Sequence, residues 1–219
     1  MMKQKDSFLK SEGDAWFNRN REAIENRQLP EGDPILSEIL KLPPPQSSNK
    51  FKVLEVGCCD GYRLEWLQMN MGCQCCGIEP SGQAVDKARQ RGLEVYQGTA
   101  DELSFPDNSF DIVTFGFCLY LCDRDDLFRI AKEADRVLMD PGWLIIHDFY
   151  STTPIEREYC HLPGLFSYKM DYRTLFTWHP AYTCFRHTVT HHGKNVFTDD
   201  PQEWVATSVL RKCLNRTNQ

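Results

Sequence analysis

The residues best suited to chemistry in this chain lie around a glycine turn and an acidic residue that follows it. Residues 53–61 are a short apolar stretch that ends in a Gly-Cys-Cys-Asp-Gly turn. Gly57 and Gly61 let the backbone turn sharply and let a ligand approach it closely. About twenty residues later, Glu79 ends the next apolar stretch, where a carboxylate can accept both hydroxyls of a ribose. The pattern predicts a nucleoside-binding turn.

The spacing of the glycines decides which nucleoside ligand suits this turn. Turns that bind dinucleotides follow the pattern G-x-G-x-x-G. Here Cys59 stands at the second glycine position and Tyr62 at the third, which disfavours a nicotinamide cofactor. A ligand without a pyrophosphate, but with an amino-acid moiety, needs a shorter turn and a carboxylate near its ammonium group. Glu55 can supply that carboxylate, so the turn indicates S-adenosylmethionine.

The elements that must position these residues alternate along the chain. Strands are predicted near residues 51–56, 74–78, 93–97, 110–115 and 143–149, with helices near 62–70, 81–91 and 124–139 between them. Such alternation predicts a doubly wound, mostly parallel α/β sheet. Two later β-like runs, 182–191 and 204–212, lack a helix-length connection and predict an antiparallel hairpin at one edge. The expected fold is a seven-stranded, Rossmann-like sheet.

A proline-rich linker, residues 43–49, divides the chain into residues 1–42, an N-terminal helical cap, and a main domain at 51–219. Within the main domain, residues 151–192 are rich in aromatic residues and histidine, and we expect them to determine substrate specificity. Trp16 and Arg19 lie on a predicted cap helix. This helix can act as a lid, with Trp16 excluding water and Arg19 pairing with the cofactor carboxylate. Simple packing on the sheet is the alternative.

Four motifs between about residues 52 and 149 resemble the class I S-adenosylmethionine-dependent methyltransferases, and more narrowly their type 11 branch. They read VLEVGCCDG from residue 53, GIEPS from 77, GTADELSFPDNSFDIV from 98 and GWLII from 142. The resemblance implies that the first motif holds the methionine end, the second the ribose, and the third the adenine. The cofactor-contacting residues it implies are Glu55, Gly57, Cys59, Gly61, Glu79, Pro80, Ala100, Asp101 and Phe117. Cys59 and Thr99 depart from the family pattern.

Methyl transfer from a sulfonium is a direct displacement, so the protein must mainly align the acceptor with the methyl group and exclude water. A base helps when the acceptor is a hydroxyl. The candidate catalytic residues follow the fourth and fifth strands and are His147, Asp148 and Tyr120. The candidate substrate residues lie in the 151–192 segment and are His161, Tyr168, Tyr172 and His179. A purely structural role, as a satisfied hydrogen-bonding group, is the alternative for each.

Composition limits the classes of partner. The 219 residues carry a net charge of −6, which disfavours non-specific binding to nucleic acid. The polar N-terminus and the short apolar run at 113–122 predict no membrane span, and hence a cytoplasmic protein. We expect it to be a monomer or a homodimer. The ten cysteines lie mostly in apolar runs, so we expect reduced, buried thiols and no metal site.

The sequence therefore predicts a methyltransferase that uses S-adenosylmethionine and releases S-adenosylhomocysteine. The expected acceptor is a small polar molecule, such as a sugar, a nucleotide-linked intermediate or another metabolite, with O-methylation favoured. Two alternatives stay open: N-methylation, and a catalytically silent subunit that binds the cofactor and regulates or scaffolds a partner.

Overall fold

A single mixed sheet organises the chain in the computed structural model, which describes residues 3–45, 50–193 and 197–214. Five parallel strands come first: β1 Lys52–Val56, β2 Gln74–Glu79, β3 Glu94–Gln97, β4 Phe110–Gly116 and β5 Leu138–Phe149. The order across the sheet is β3-β2-β1-β4-β5-β9-β8. The last two strands, β8 Tyr182–His191 and β9 Trp204–Lys212, are antiparallel to their neighbours and form one edge. The predicted fold class is confirmed.

The helices begin with a group that precedes the sheet. In chain order they are α1 Gln4–Ser7, a π-helical turn Phe8–Glu12, α2 Gly13–Arg19, α3 Arg21–Glu25, α4 Pro34–Ile39, α5 Tyr62–Met71, α6 Gly82–Gln90, α7 Leu127–Val137 and α8 Thr174–Thr177. Helices α5, α6 and α7 connect successive parallel strands, as the sequence predicts. Helix α6 begins after Ser81, whose hydroxyl accepts a hydrogen bond from the backbone N–H of Ala84 at 3.1 Å.

The connection from α7 to β5 differs from the prediction. The helix ends at Val137, and β5 begins at Leu138, five residues before the expected strand at 143. Leu138 pairs with Phe110, and the register then shifts before Ile112 pairs with Trp143. A bulge of this kind lets residues 139–142 extend the strand without disturbing its regular pairing farther on.

The residues predicted as one N-terminal cap take two different places. On α4, the side chains of Ile35, Leu36 and Ile39 are fully buried in a core cluster with Val53, on β1. The helices before α4 instead cover the carboxyl ends of the parallel strands. Of the predicted linker, residues 46–49 lie outside the described residues, as do Met1, Met2 and residues 215–219.

The predicted specificity segment, residues 151–192, also has two parts. Its residues 182–191 form β8 of the main sheet. Its earlier part contains a two-stranded hairpin, β6 Ile155–Glu158 and β7 Phe166–Lys169, followed by the short α8. The hairpin strands show no alternation of buried and exposed residues, which is why the sequence pattern did not reveal them. Within the described part of the chain, no helix is long and apolar enough to cross a membrane.

Candidate functional site

A cavity of about 520 Å³ lies beyond the carboxyl ends of the parallel strands. Open α/β sheets bind ligands at this edge, and the volume falls within the ~300–1,000 Å³ of small-molecule sites. Its wall is built from three separate parts of the chain: the N-terminal helices, the loops that follow β1 to β5, and the segment from Tyr159 to His192. The site is therefore assembled by tertiary structure rather than by one local motif.

Glu79, the last residue of β2, lies on the cavity wall with only 8% of its surface exposed. Its two carboxylate oxygens accept backbone hydrogen bonds from Ser81 and Cys59, each at 2.9 Å. Burial raises the pKa of Glu79 to about 7, although these two hydrogen bonds oppose the shift. The carboxylate is held rigidly, and its remaining lone pairs are free to accept hydrogen bonds from a ligand.

The glycine turn after β1 also reaches the cavity, through Gly57 and Cys59. Gly57 has φ +76°, and a Cβ there would lie only 2.6 Å from the Cβ of Cys118. Cys59 has φ +53°, a left-handed conformation that is unusual for a residue other than glycine. Its side chain packs in a cluster with Phe17 and Ile24 of the N-terminal helices. Burial raises the pKa of the Cys59 thiol, so it is protonated at neutral pH.

The loop that follows β3 contributes Ala100 and Asp101 to the cavity wall, and the loop that follows β2 contributes Pro80. Asp101 pairs with the ammonium group of Lys5 and accepts a hydrogen bond from the Thr99 hydroxyl at 2.7 Å. Burial opposes ionisation, but these hydrogen bonds hold the pKa of Asp101 below its ordinary value. Asp101 is thus an ionised acceptor at the cavity, while its partner Lys5 gave no signal in the sequence.

Helix α1 is fastened to the loop that follows β4. The backbone N–H groups of Gln4 and Lys5 donate to the Asp123 carboxylate at 2.9 and 3.0 Å. The Gln4 side chain donates to the Leu121 carbonyl and exchanges two hydrogen bonds with the backbone of Phe166, each at 2.8 Å. The first residues of the chain therefore join the β4 loop to the hairpin of β6 and β7.

Helix α2 is fastened to the other side of the cavity, at the start of α6. Asp14 accepts hydrogen bonds from the Ser81 hydroxyl at 2.7 Å and from the Gln83 backbone at 3.0 Å. At Gly13 an added Cβ would lie 3.0 Å from the Ser81 nitrogen and 2.7 Å from the Phe8 carbonyl, so only glycine allows this approach. The Gly13-Asp14 pair is the sequence signal for this docking.

Two predicted ligands of the methionine end, Glu55 and Gly61, do not line the cavity. Glu55 is buried behind the wall, where it pairs with the Arg63 guanidinium. That guanidinium also donates to Asp33 at 2.9 Å, and Arg63 itself lines the cavity. Gly61, with φ +71°, immediately precedes α5, and a Cβ there would clash with Leu93. Glu55 lies behind the wall because β1 side chains alternate between the faces of the sheet.

Arg19 is also absent from the cavity wall, although it was predicted to pair with a cofactor carboxylate. Its guanidinium pairs with the buried Glu12 and donates to the Tyr159 hydroxyl at 2.9 Å. Tyr159 donates in turn to Glu12 at 3.1 Å. Arg19 therefore joins the π-helical turn to the hairpin region, while its neighbour Trp16 does line the cavity.

The far wall of the cavity is aromatic. Phe117 has φ +52° and lies at its centre, with its ring 4.7 Å from the His147 ring, 5.2 Å from Phe149 and 5.5 Å from His192. The Tyr120 ring lies edge-on to Phe149 at 4.9 Å. Burial raises the pKa of Tyr120, although a hydrogen bond from Trp16 opposes the shift. The other polar side chains of this wall are Tyr159 and His161.

The structure brings neither His147 nor Asp148 to the cavity wall, contrary to their predicted catalytic role. His147 is buried behind Phe117, its Nδ1 lies 2.9 Å from the Thr207 hydroxyl, and burial lowers its pKa to about 4. Asp148 accepts backbone hydrogen bonds from Cys118 at 3.1 Å and Leu119 at 2.8 Å. It therefore fixes the loop after β4, a positioning role.

Of the four predicted substrate residues, only His161 reaches the cavity. Tyr168 and Tyr172 pack around Arg124, whose guanidinium lies 4.0 and 5.7 Å from their ring centres. His179 accepts a hydrogen bond from the Ala181 backbone at 3.2 Å, at the start of β8. These three side chains stabilise the segment that carries the aromatic wall.

Several lining residues were missed by the sequence analysis. They are Lys5, Arg27, Arg63, Phe149, Tyr159 and His192. His192 lies just beyond β8, a strand whose position was predicted but whose path to the cavity was not. Among the described residues, no group of three or more histidine, cysteine or acidic side chains is arranged to hold a metal ion.

Residues 54–146 match the family described as "Methyltransferase domain". The uncharacterized methyltransferase YcgJ of Bacillus subtilis is 34% identical over 86 residues, which cover 36% of this chain and 33% of the relative. The fatty-acid O-methyltransferase of Mycolicibacterium smegmatis is 33% identical over 102 residues, 44% of this chain and 36% of the relative. The chain thus spans about a third of the length of these curated relatives.

The fold also has solved counterparts. The 1,6-didemethyltoxoflavin-N1-methyltransferase of Burkholderia thailandensis, solved with bound 1,6-didemethyltoxoflavin and S-adenosylhomocysteine, matches with a TM-score of 0.68. The match covers 95% of this chain and 89% of that one, at 16% identity. The family match over residues 54–146 supports the resemblance drawn from the four motifs, and the solved structure shows that this chain has the methyltransferase fold.

Proposed function

We propose that the chain is an active methyltransferase that binds S-adenosylmethionine in the 520 Å³ cavity. The observation that carries this proposal is the pair of buried carboxylates, Glu79 and Asp101, on the wall beyond two neighbouring strands. Glu79 would accept hydrogen bonds from the ribose hydroxyls, and Asp101 would face the adenine edge beside Ala100. Pro80 and Ala100 add apolar surface for the nucleoside.

The order of the sheet then sets the orientation of the ligand. Strands β2 and β3 lie on one side of β1, whereas β4 and β5 lie on its other side. A nucleoside bound over Glu79 would therefore direct its sulfur toward Phe117. When bound, the cofactor supplies a methyl group on a positively charged sulfur. The aromatic wall of Phe117, Tyr120 and Phe149 would exclude water from this region and orient the acceptor.

We further propose a small polar acceptor, with transfer to oxygen favoured over nitrogen. The helices before α4 and the β6–β7 hairpin cover the cavity, which favours a small molecule over a polymer. His161 and His192 lie on the acceptor side, where an imidazole can take the proton of a hydroxyl as its oxygen bonds to the methyl carbon. A cytoplasmic location and a monomeric or homodimeric state belong to the same proposal.

Titration calorimetry with S-adenosylhomocysteine tests the cofactor site, with NADH as the negative control. We expect micromolar binding of the first and none of the second. Glu79→Gln should weaken binding by about tenfold or more, because it replaces the charged acceptor of the ribose hydroxyls. Glu94→Gln, at an exposed carboxylate on β3, is the matched control and should bind like the wild type. Equal binding by Glu79→Gln would remove the site assignment.

Turnover is tested separately, by incubating the protein with S-adenosylmethionine and fractionated metabolite pools. We expect S-adenosylhomocysteine to form together with a product heavier by one methylene unit. His161→Asn and His192→Asn should slow this reaction at unchanged cofactor affinity. Tight cofactor binding without turnover on any pool would favour the silent scaffold, and a product methylated on nitrogen would overturn the preference for oxygen.

A further inference from the structure

The residues proposed to bind the nucleoside do not include a partner for the carboxylate at the amino-acid end of the cofactor. A bound amino-acid moiety brings a carboxylate, which needs a cationic partner in a site that already holds several acids. The cationic side chains on the wall, within the described residues, are Lys5, Arg27 and Arg63. Their partners decide which of them can bind that carboxylate.

Two of the three cations are already neutralised. The Lys5 ammonium group pairs with Asp101 and, at 3.2 Å, with Asp126. The Arg63 guanidinium pairs with the buried Glu55 and, at 2.9 Å, with Asp33. To bind a ligand carboxylate, Lys5 or Arg63 would have to leave its own carboxylate partner unpaired in a buried environment. Breaking such a buried ion pair costs more free energy than breaking an exposed one.

Arg27 differs from both. In the part of the chain that the structure describes, no acidic side chain lies within ion-pair distance of its guanidinium. Instead the guanidinium stacks on the Tyr62 ring, 4.0 Å from the ring centre. Stacking of this kind restricts the guanidinium plane and leaves its N–H groups available for a planar carboxylate.

The position of Arg27 also fits the amino-acid end of the ligand. Tyr62 is the first residue of α5, directly after the glycine turn, so Arg27 lies over the same turn as Gly57 and Cys59. The positive end of the α5 dipole adds to the field there. The acidic side chains Asp101, Asp123 and Asp126 gather around α1, away from this turn.

We infer that Arg27, stacked on Tyr62, binds the carboxylate of the cofactor's amino-acid moiety, in place of the predicted Arg19. This inference rests on the proposed function. It makes Arg27 a residue that recognises the amino-acid part of the ligand but not its nucleoside part.

The test uses two ligands that differ only in this part. S-adenosylhomocysteine carries the amino acid, whereas 5′-methylthioadenosine keeps the adenine, ribose and sulfur without it. In the full chain, Arg27→Gln should weaken S-adenosylhomocysteine binding by about tenfold, as expected for loss of a charge-assisted pair at a partly solvated site. Its affinity for methylthioadenosine should stay within about twofold of the wild-type affinity. Arg27→Lys, which keeps the charge but not the planar group, should lie between Arg27→Gln and the wild type.

Arg21→Gln is the matched control. Arg21 is an exposed arginine of α3 that donates to Asn18 at 3.2 Å, so this variant should bind both ligands like the wild type. Unchanged S-adenosylhomocysteine binding by Arg27→Gln would overturn the inference and leave the cofactor site intact. Equal weakening of both ligands would also overturn it, because Arg27 would then act through the fold of the lid. If the wild type bound neither ligand, the proposed function would fail, and this inference with it.

Discussion

Two buried carboxylates, each at the carboxyl end of a parallel strand, have different roles. Burial raises the pKa of both Glu79 and Asp148 to about 7. Glu79 lies on the cavity wall, whereas Asp148 faces the backbone N–H groups of the loop that follows β4. From the sequence, both were acidic residues at the carboxyl end of a strand. Only the path of the β4 loop, which has no local signal, separates the proposed binding residue Glu79 from the positioning residue Asp148.

For Glu79 this predicts a pH-dependent cofactor affinity. The ionised carboxylate accepts hydrogen bonds from ribose hydroxyls more strongly than the protonated form does. S-adenosylhomocysteine binding should therefore be tightest above pH 7 and weaken below it, by at most about tenfold per pH unit for one proton released. Calorimetry at about pH 6 in buffers of different ionisation enthalpy measures that release. An affinity that is flat across this range would contradict the assignment.

For Asp148 the prediction concerns stability. Its pKa is raised from an ordinary 3.8 to about 7, so the protonated carboxyl is favoured in the folded chain. The stability due to this group is present at low pH and is lost as pH rises through 7, by at most about 1.4 kcal/mol per pH unit. The melting temperature of Asp148→Asn should therefore rise relative to the wild type between about pH 5 and pH 8. A constant difference would show that Asp148 is already ionised.

The third prediction concerns Cys59, whose backbone conformation favours glycine but whose side chain makes stabilising contacts. Glycine would relieve the positive φ by about 1 kcal/mol, but it would lose the sulfur contacts with Phe17 and Ile24. Alanine would lose the same contacts and keep the strain. We expect the melting temperature of Cys59→Ala to lie below that of Cys59→Gly, with cofactor affinity in the glycine variant equal to the wild type or better. The reverse order of melting temperatures would show that the φ strain is not significant.

At the scale of elements, the alternation of strands and helices was predictable because short apolar runs alternate along the chain with longer amphipathic ones. The strands β8 and β9 match their predicted bounds. The N-terminal helices were not separable in the same way. Both α2 and α4 carry large apolar residues, yet α4 packs into the core and α2 covers a cavity.

This division predicts the outcome of two N-terminal deletions. Removing residues 1–28 takes away the cavity cover and leaves α4 in place, so the main domain should fold and bind S-adenosylhomocysteine at least tenfold more weakly. Removing residues 1–42 also removes the fully buried Ile35, Leu36 and Ile39, each worth about 2–5 kcal/mol in a core. We expect the longer deletion to unfold by circular dichroism. Full affinity in the shorter one would show that α1–α3 only pack on the surface.

At the scale of the molecule, the two covers of the cavity are joined to each other as well as to the sheet. Gln4 binds the backbone of Phe166, and Glu12 accepts hydrogen bonds from Arg19 and Tyr159. The Gln4–Phe166 and Glu12–Tyr159 contacts join residues more than a hundred positions apart, so no sequence window contains them. This is why the sequence located the nucleoside half of the site better than the acceptor half.

Cofactor binding should therefore protect both covers together. On addition of S-adenosylhomocysteine, hydrogen exchange should slow in residues 4–19 and in residues 155–169 alike, although no contact of the hairpin strands with the nucleoside is proposed. Tyr159→Phe, which breaks the bonds to Glu12 and Arg19, should reduce the protection of the hairpin more than that of α2. Protection confined to residues 4–19 would mean that the two covers move independently.

The positions of the tryptophans make intrinsic fluorescence a probe of ligand binding. Of the five in the chain, all within the described residues, only Trp16 lies on the cavity wall, which it shares with Tyr120. An adenosyl ligand entering the cavity should alter the emission of Trp16 and leave that of Trp66, Trp143, Trp178 and Trp204 unchanged. Intrinsic fluorescence therefore reports occupancy directly, and stopped-flow mixing can follow how fast the ligand binds and leaves without any attached dye.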